Sequence, residues 1–152
     1  MLIGPEFGGI VRLILATIFG MAIGLERESK RKPAGIRTCA LVCLGSCLFT
    51  IVSGGFSGTA DPSRVAAGIV TGIGFLGGGA IFRSKTRSSG MTTASSVWVV
   101  AAIGIATGIG EYVLAFGATL IALLLLYFGA FLKFARDYSS RRRAAREANA
   151  NK

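Results

Sequence analysis

The sequence contains no histidine among its 152 residues, and its other reactive side chains are few. Histidine is the commonest general base in enzymes and the commonest metal ligand, so its absence disfavours both kinds of site. The three cysteines, Cys39, Cys43 and Cys47, recur every fourth residue and share one helical stripe. They lack a fourth ligand for a tetrahedral site, and one helix holds thiols poorly for a disulfide. We therefore expect packing cysteines, and no catalytic residue, metal or cofactor.

Acidic residues are also scarce, with seven Asp and Glu against 17 Lys and Arg. The net charge is +10, 52% of the residues are hydrophobic and the mean hydropathy is +0.64, which excludes an ordinary soluble domain. The basic residues cluster beside long apolar runs instead of covering a surface. This pattern is typical of membrane topology signals and of contacts with anionic lipids, and it argues against nucleic acid as a partner.

Five apolar segments predict an all-α protein, a polytopic helical bundle of the bacterial inner membrane. The predicted spans are residues 7–25, 36–53, 65–82, 91–108 and 113–132, so that 1–132 form a transmembrane domain and 133–152 a basic tail. Fifteen Lys and Arg lie in the loops 26–37 and 83–90 and in the tail. The positive-inside rule then places the N-terminus outside and the C-terminus in the cytoplasm. No basic region precedes the first run, so we expect it to remain as an anchor.

Glycine recurs at the four-residue spacing that lets membrane helices approach closely. It is densest in the third span, which we predict to be the central helix of the bundle. The third span also spells the dinucleotide fingerprint G-x-G-x-x-G, but without the flanking strand and acidic residue that give that motif meaning. The predicted packing positions are Gly20, Gly24, Gly68, Gly72, Gly74, Gly77, Gly78, Gly104 and Gly108. The leucine-rich fifth span has few such residues and should lie at the edge.

Charged and hydroxyl side chains at the span ends are the candidate functional residues. Arg12 lies within the first span, where it either snorkels to the nearby surface or meets a partner inside the bundle. Glu26 and Arg37 flank the first basic hairpin and are predicted to pair, with Arg27 and Thr38 completing the cluster. Thr92 and Thr93 open the fourth span, and their hydroxyls either bond their own helix or bridge to another. The full candidate set is Arg12, Glu26, Arg27, Arg37, Thr38, Arg64, Thr92, Thr93 and Trp98.

Six phrases in register together resemble one family. They are Gly24-Leu-Glu26-Arg27-Glu28, Lys32-Pro-Ala-Gly35-Ile-Arg37-Thr38, Asp61-Pro-Ser-Arg64-Val-Ala-Ala, Gly72-Ile-Gly-Phe-Leu-Gly77, Gly90-Met-Thr-Thr-Ala94, and Trp98 with Ala101-Ala-Ile-Gly104. Their order and spacing are similar to those of the MgtC/SapB membrane domain. The resemblance implies an inner-membrane protein tied to growth in low magnesium and, in pathogens, to survival in macrophages. Its best-known member is thought to bind and restrain the proton-translocating ATP synthase.

The sequence also departs from that family. Members of the ATP synthase-binding kind carry a soluble cytoplasmic domain after the fifth span, where this sequence has only its basic tail. Gly68 stands where the family usually has glutamine, and Gly78 where it has alanine.

The sequence is compatible with two functions. We expect a non-enzymatic protein that regulates another membrane protein, ATP synthase being the partner that the resemblance suggests, in adaptation to low magnesium or intracellular stress. Its basic tail should contact anionic lipids at the cytoplasmic face, and self-association is left open. The alternative is a small oligomeric channel or permease for Mg²⁺ or another solute. It is disfavoured because Mg²⁺ requires oxygen ligands and the predicted spans contain no Asp or Glu.

The predicted topology can be tested by cysteine accessibility in a background that lacks the three native cysteines. A membrane-impermeant maleimide added to intact cells should label Ser57→Cys, because its loop carries few basic residues and should face outward. Ser88→Cys, in the second basic loop, should react only after the membrane is permeabilised. Labelling of Ser57→Cys from the cytoplasmic side alone would refute this orientation.

Overall fold

A computed structural model of the protein describes residues 5–55, 61–84 and 87–129, with side chains over 7–55, 61–84 and 90–129. The helices are α1 (Pro5–Ser29), α2 (Ile36–Ser53), α3 (Pro62–Phe82), α4 (Arg87–Ile109) and α5 (Tyr112–Gly129). All five are long and apolar enough to cross a membrane, and the described ranges contain no strand. The predicted all-α fold with five spans is confirmed. The basic tail lies outside the described residues.

The first helix extends one turn beyond its predicted end, because Glu26, Arg27 and Glu28 are good helix formers. It closes with a Schellman motif in which Lys32 N–H donates to the Arg27 carbonyl at 3.0 Å and Arg31 N–H to the Glu28 carbonyl at 2.8 Å. Arg31 takes the left-handed conformation, with φ of 51°. The basic hairpin is therefore shorter than predicted and lies beyond Glu26 and Glu28.

The third helix begins earlier than the apolar run, at Pro62. Asp61 is its N-cap and accepts hydrogen bonds from the Ser63 hydroxyl at 2.7 Å and the Ser63 N–H at 2.9 Å. These bonds favour the ionised carboxylate and hold the pKa of Asp61 below its usual value. An Asp followed by Pro is a recognisable start signal, since Pro fits the first helical position.

The central helix of the bundle is α4. It contacts α1, α2 and α3, and 50% of its membrane-spanning stretch is buried, against 11% for α3. Its buried Val97, Val100 and Ile103 form the core with Ile23 of α1 and the cysteines of α2. α5 packs at the edge through Ala115 and through Phe116, whose ring centroid lies 6.4 Å from that of Phe19 on α1.

The central position predicted for the third span is wrong within a single chain. Of the α3 residues only Ile73 and Gly77 are buried, and Gly77 faces Ala94 of α4. A Cβ added at any of the other α3 glycines would meet nothing within 4 Å; these are Gly68, Gly72, Gly74, Gly78 and Gly79. The reason is that α4, with branched and small side chains on several faces, fills the centre, whereas glycine offers no side chain to bury.

The closest helix contacts are instead made by the glycines of α1 and α4 against α2. A Cβ at Gly20 would lie 2.6 Å from the Cys39 carbonyl oxygen, and one at Gly24 2.6 Å from the Ile36 Cα. Further along α2, a Cβ at Gly104 would collide with the Cys43 carbonyl oxygen, and one at Gly108 would lie 2.7 Å from Thr50 Cβ. The three fully buried, free cysteines occupy the space between these contacts, as packing residues do.

Two alanine substitutions distinguish the contact glycines from the open ones. Gly104→Ala should destabilise the protein by about 1 to 3 kcal/mol, because the new methyl group forces α4 away from α2. Gly74→Ala, in open space, should stabilise α3 by up to about 1 kcal/mol through helix propensity. Unfolding of both purified variants in detergent measures the difference. Equal midpoints for the two variants would contradict this account of the packing.

Candidate functional site

A buried charge cluster lies at one end of the bundle, where α1 meets α4. Arg27 of α1 is only 3% exposed, and its Nη2 donates to Thr93 Oγ1 of α4 at 3.2 Å. Its Nη1 lies 3.6 Å from Glu26 Oε2, which is an ion pair but too long for a good hydrogen bond. Arg27 Nε is also buried and has no hydrogen-bond partner in the described structure. The cluster therefore connects α1 to α4 and also contains a buried donor, Arg27 Nε, that is not hydrogen-bonded in the described structure.

Burial makes this cluster sensitive to the loss of either partner. Removing two charges from water is costly, and their mutual attraction offsets the cost only while both are present. Thr93 adds a neutral acceptor from a different helix, so that the guanidinium connects α1 to the central helix. Sequence reasoning selected Glu26, Arg27 and Thr93 as candidates, and the structure brings these three together.

The predicted pairing of Glu26 with Arg37 is wrong. Arg37 is exposed at the second position of α2, and the described residues include no ion pair between it and Glu26. The cause is the extra turn of α1, which places the hairpin beyond Glu26. Thr38 is exposed as well and contributes nothing to the buried cluster.

Glu28, which sequence reasoning left out of the candidate set, is the carboxylate that closes the hairpin. Its Oε2 accepts a hydrogen bond from the Ile36 N–H at 2.8 Å, in the first turn of α2. The N-cap of that helix is Gly35, which has no side chain to cap it. A carboxylate near a helix N-terminus also interacts favourably with the helix dipole. The sequence signal for this contact was a glycine at the N-cap with a carboxylate a few residues before it.

At the opposite end of α1, about 22 Å away at 1.5 Å per residue, Arg12 has a partner inside the bundle. Its Nη1 donates to the Gly108 carbonyl oxygen at 2.8 Å. α4 ends in a Schellman motif, with Gly110 at φ of 94° and bonds from Gly110 N–H to Thr107 and from Glu111 N–H to Ala106. That motif leaves the Gly108 carbonyl without a backbone donor. Arg12 donates to this carbonyl, and its positive charge interacts favourably with the negative end of the helix dipole.

The remaining candidates are not assembled into a site. Arg64 and Thr92 are exposed on different helices, and Trp98 is 52% exposed on α4. No group of three or more Cys, Asp or Glu within the described part of the chain could hold a metal ion.

An open apolar groove runs between α2 and α3, which touch each other less than other neighbouring helices do. Its volume is about 600 Å³. Glycine backbone forms part of its wall at Gly45, Gly68 and Gly72, between the side chains of Leu41, Phe49 and Leu76. None of the described residues in the lining of the groove is charged.

Comparison with known proteins identifies similar sequences. A family model described as the MgtC family matches residues 13–134. "Putative magnesium transporter YhiD" of Escherichia coli (strain K12) is 46% identical over 125 residues, covering 77% of this chain and 58% of that protein. Protein SapB of Bacillus subtilis is 41% identical, covering 78% and 55%, and Protein MgtC of Salmonella typhimurium (strain LT2) is 42% identical, covering 77% and 50%. The chain thus spans about half the length of the curated relatives it matches. No solved structure shows significant similarity.

The buried cluster makes a prediction about energetic coupling. Glu26→Ala and Arg27→Ala should each destabilise the protein, because each leaves an unpaired charge, and the double variant should be milder than the sum of the two. We expect a coupling energy of about 0.5 to 3 kcal/mol from a double-mutant cycle on unfolding in detergent. The matched cycle of Glu26→Ala with Arg37→Ala should give a value near zero. Equal coupling in both cycles would contradict the pairing seen here.

Proposed function

Because this chain belongs to the MgtC family, we propose that it is a non-enzymatic regulator that binds a helix of another protein within the bacterial inner membrane. The observation that carries the proposal is the open glycine surface of α3 beside the α2–α3 groove. The partner to which the family resemblance points is the proton-translocating ATP synthase, and the setting is adaptation to low magnesium or intracellular stress. Anionic lipids would contact the basic loops and tail at the cytoplasmic face.

The glycines of α3 lower the stability of that helix, and the described contacts within one chain do not offset this loss. Each glycine weakens a helix by roughly 1 kcal/mol relative to alanine. Membrane helices use glycine where another helix approaches their backbone closely. In α3 five glycines have open space instead of a neighbour. A partner helix lying along Gly68 and Gly72 would fill that space and the adjoining groove by backbone-to-backbone contact.

The positions of the charges support binding over ion conduction. Among the residues with described side chains, Glu26, Glu28, Asp61 and Glu111 lie at or near helix ends, so no carboxylate lies at mid-membrane depth. Mg²⁺ needs near-octahedral oxygen coordination and loses water reluctantly. Of the charged side chains held inside the bundle ends, Arg12 would repel a cation, and Glu26 is already paired with Arg27.

The second candidate is a small oligomeric permease, and two observations favour it. One relative carries the name "Putative magnesium transporter YhiD". The α3 face that is open in one chain could also meet a second copy, so that a path would form between subunits.

Flux measurements separate the two candidates. The purified protein in liposomes should show no Mg²⁺ or proton flux above that of empty liposomes, since no carboxylate lines a path at mid-membrane depth. Fluorescent indicators of Mg²⁺ and pH inside the vesicles provide the readout. Flux above the empty control would favour the permease.

Partner binding can be tested with Gly72→Leu, which fills the groove without touching the core. Added to inner-membrane vesicles, the parent protein should lower ATP-driven proton pumping, measured by quenching of a pH-sensitive dye. Gly72→Leu should lose this effect while keeping the unfolding midpoint of the parent. Gly117→Leu, at an equally open glycine on α5, is the matched control and should inhibit like the parent. Full inhibition by Gly72→Leu would exclude the groove as the binding surface.

A further inference from the structure

A cavity of about 390 Å³ opens at the Arg12 end of the bundle, which the charge distribution predicts to be outside. The last turns of α2 and α4 and the first turn of α3 form its walls, and among the described residues of its lining Arg12 is the only charged one. We propose that this cavity binds an oxyanion, a phosphate or carboxylate group, through the guanidinium of Arg12. This site is separate from the α2–α3 groove and does not depend on the regulatory function.

The guanidinium of Arg12 retains hydrogen-bond donors that the described protein groups do not use. Nη1 is engaged with the Gly108 carbonyl at 2.8 Å, which orients the group. Nε is buried and has no hydrogen-bond partner among the described residues, and an added Cβ at Gly110 would lie 3.5 Å from Nη2. Because Nε is closed to solvent, an anion in the cavity would bind through the terminal Nη groups, whose parallel N–H donors match two oxygens of a carboxylate or phosphate.

No carboxylate of the described residues neutralises Arg12. Asp61 is close in sequence to the cavity wall, but its carboxylate caps α3 by accepting from Ser63 at 2.7 and 2.9 Å and forms no ion pair with Arg12. Arg64 and Glu111 at the same end are exposed. A half-buried guanidinium whose only partner is a neutral carbonyl keeps most of its desolvation cost, and a bound anion would offset it.

The hydroxyl groups of the cavity cannot replace Arg12 as donors. Thr50 Oγ1 donates to the Ser46 carbonyl at 2.7 Å and Ser53 Oγ to the Thr50 carbonyl at 2.7 Å. The hydroxyl of Ser63 donates to Asp61. Among the side chains that line the cavity, Arg12 is therefore the donor on which anion binding would depend.

The depth of Arg12 in the membrane is compatible with two sources of the oxyanion. Arg12 is seven residues from the first residue of α1, or about 10 Å along the helix axis. That depth is close to the boundary between acyl chains and head groups. The oxyanion is thus either the phosphodiester of an anionic lipid or a small free anion that enters from the outer solution.

The test follows the thermal unfolding midpoint of the full chain in a background with Arg141→Gln, Arg142→Gln and Arg143→Gln, which reduces anion binding by the tail. One arm adds inorganic phosphate in uncharged detergent, against chloride at equal ionic strength. The other arm compares phosphatidylcholine nanodiscs with and without phosphatidylglycerol. We expect a saturable rise in at least one arm. A rise with phosphate alone would identify a free anion, and a rise with phosphatidylglycerol alone a lipid head group.

Three variants test whether the rise in the unfolding midpoint comes from anion binding at Arg12. Arg12→Lys keeps the charge but loses the parallel N–H donors of the guanidinium, and it should weaken the apparent affinity about tenfold. Ala66→Leu fills the cavity without altering Arg12 and should abolish the rise. Arg64→Met, which removes an exposed arginine at the same end, should leave it unchanged. The proposal is overturned by the absence of a saturable rise in both arms, or by a full rise in both Arg12→Lys and Ala66→Leu.

Discussion

The structure depends on how closely α2 approaches its two neighbours. Gly20 and Gly24 of α1 and Gly104 and Gly108 of α4 bring both helices against α2 at separations where any side chain would collide. In lipid there is little hydrophobic driving force between helices, so van der Waals contact at this range is a main source of cohesion. The cysteines of α2 fit here because they are small and apolar. The three-helix unit that results is the frame on which α3 and α5 are placed.

That frame also explains how two arginines are tolerated inside the helix ends. Close contact of α1 with α2 and α4 brings Arg27 to Thr93 and Arg12 to the terminal carbonyl of Gly108. Each guanidinium is oriented by a bond to the central helix, and each has an Nε that the described protein groups leave unbonded. The arginine at one end is paired with Glu26, whereas the other has no carboxylate partner among the described residues. This asymmetry makes the Arg12 end the more open to an external anion.

The position of α3 links the fold to the function. α3 contacts α4 and part of α2 and leaves most of its glycines uncovered, so the bundle has one face suited to another helix. Binding there would leave the core of α1, α2 and α4 unchanged. Under the proposed function, a partner would bind and leave at this face without disturbing the packing of α1, α2 and α4.

The sequence by itself determined the helical class, the number of spans and the family. These follow from local properties: apolar length, charge clustering and short phrases in register, none of which requires knowledge of neighbours. It also selected Arg12, Glu26, Arg27 and Thr93, which the structure shows in hydrogen bonds or an ion pair. Only the tertiary structure decided which glycines meet a backbone and which do not, because equal spacing in α3 and α4 carries no information about what lies opposite. Likewise it decided that Glu26 pairs with Arg27 and not with Arg37, since one more turn of α1 moved the hairpin past the carboxylate.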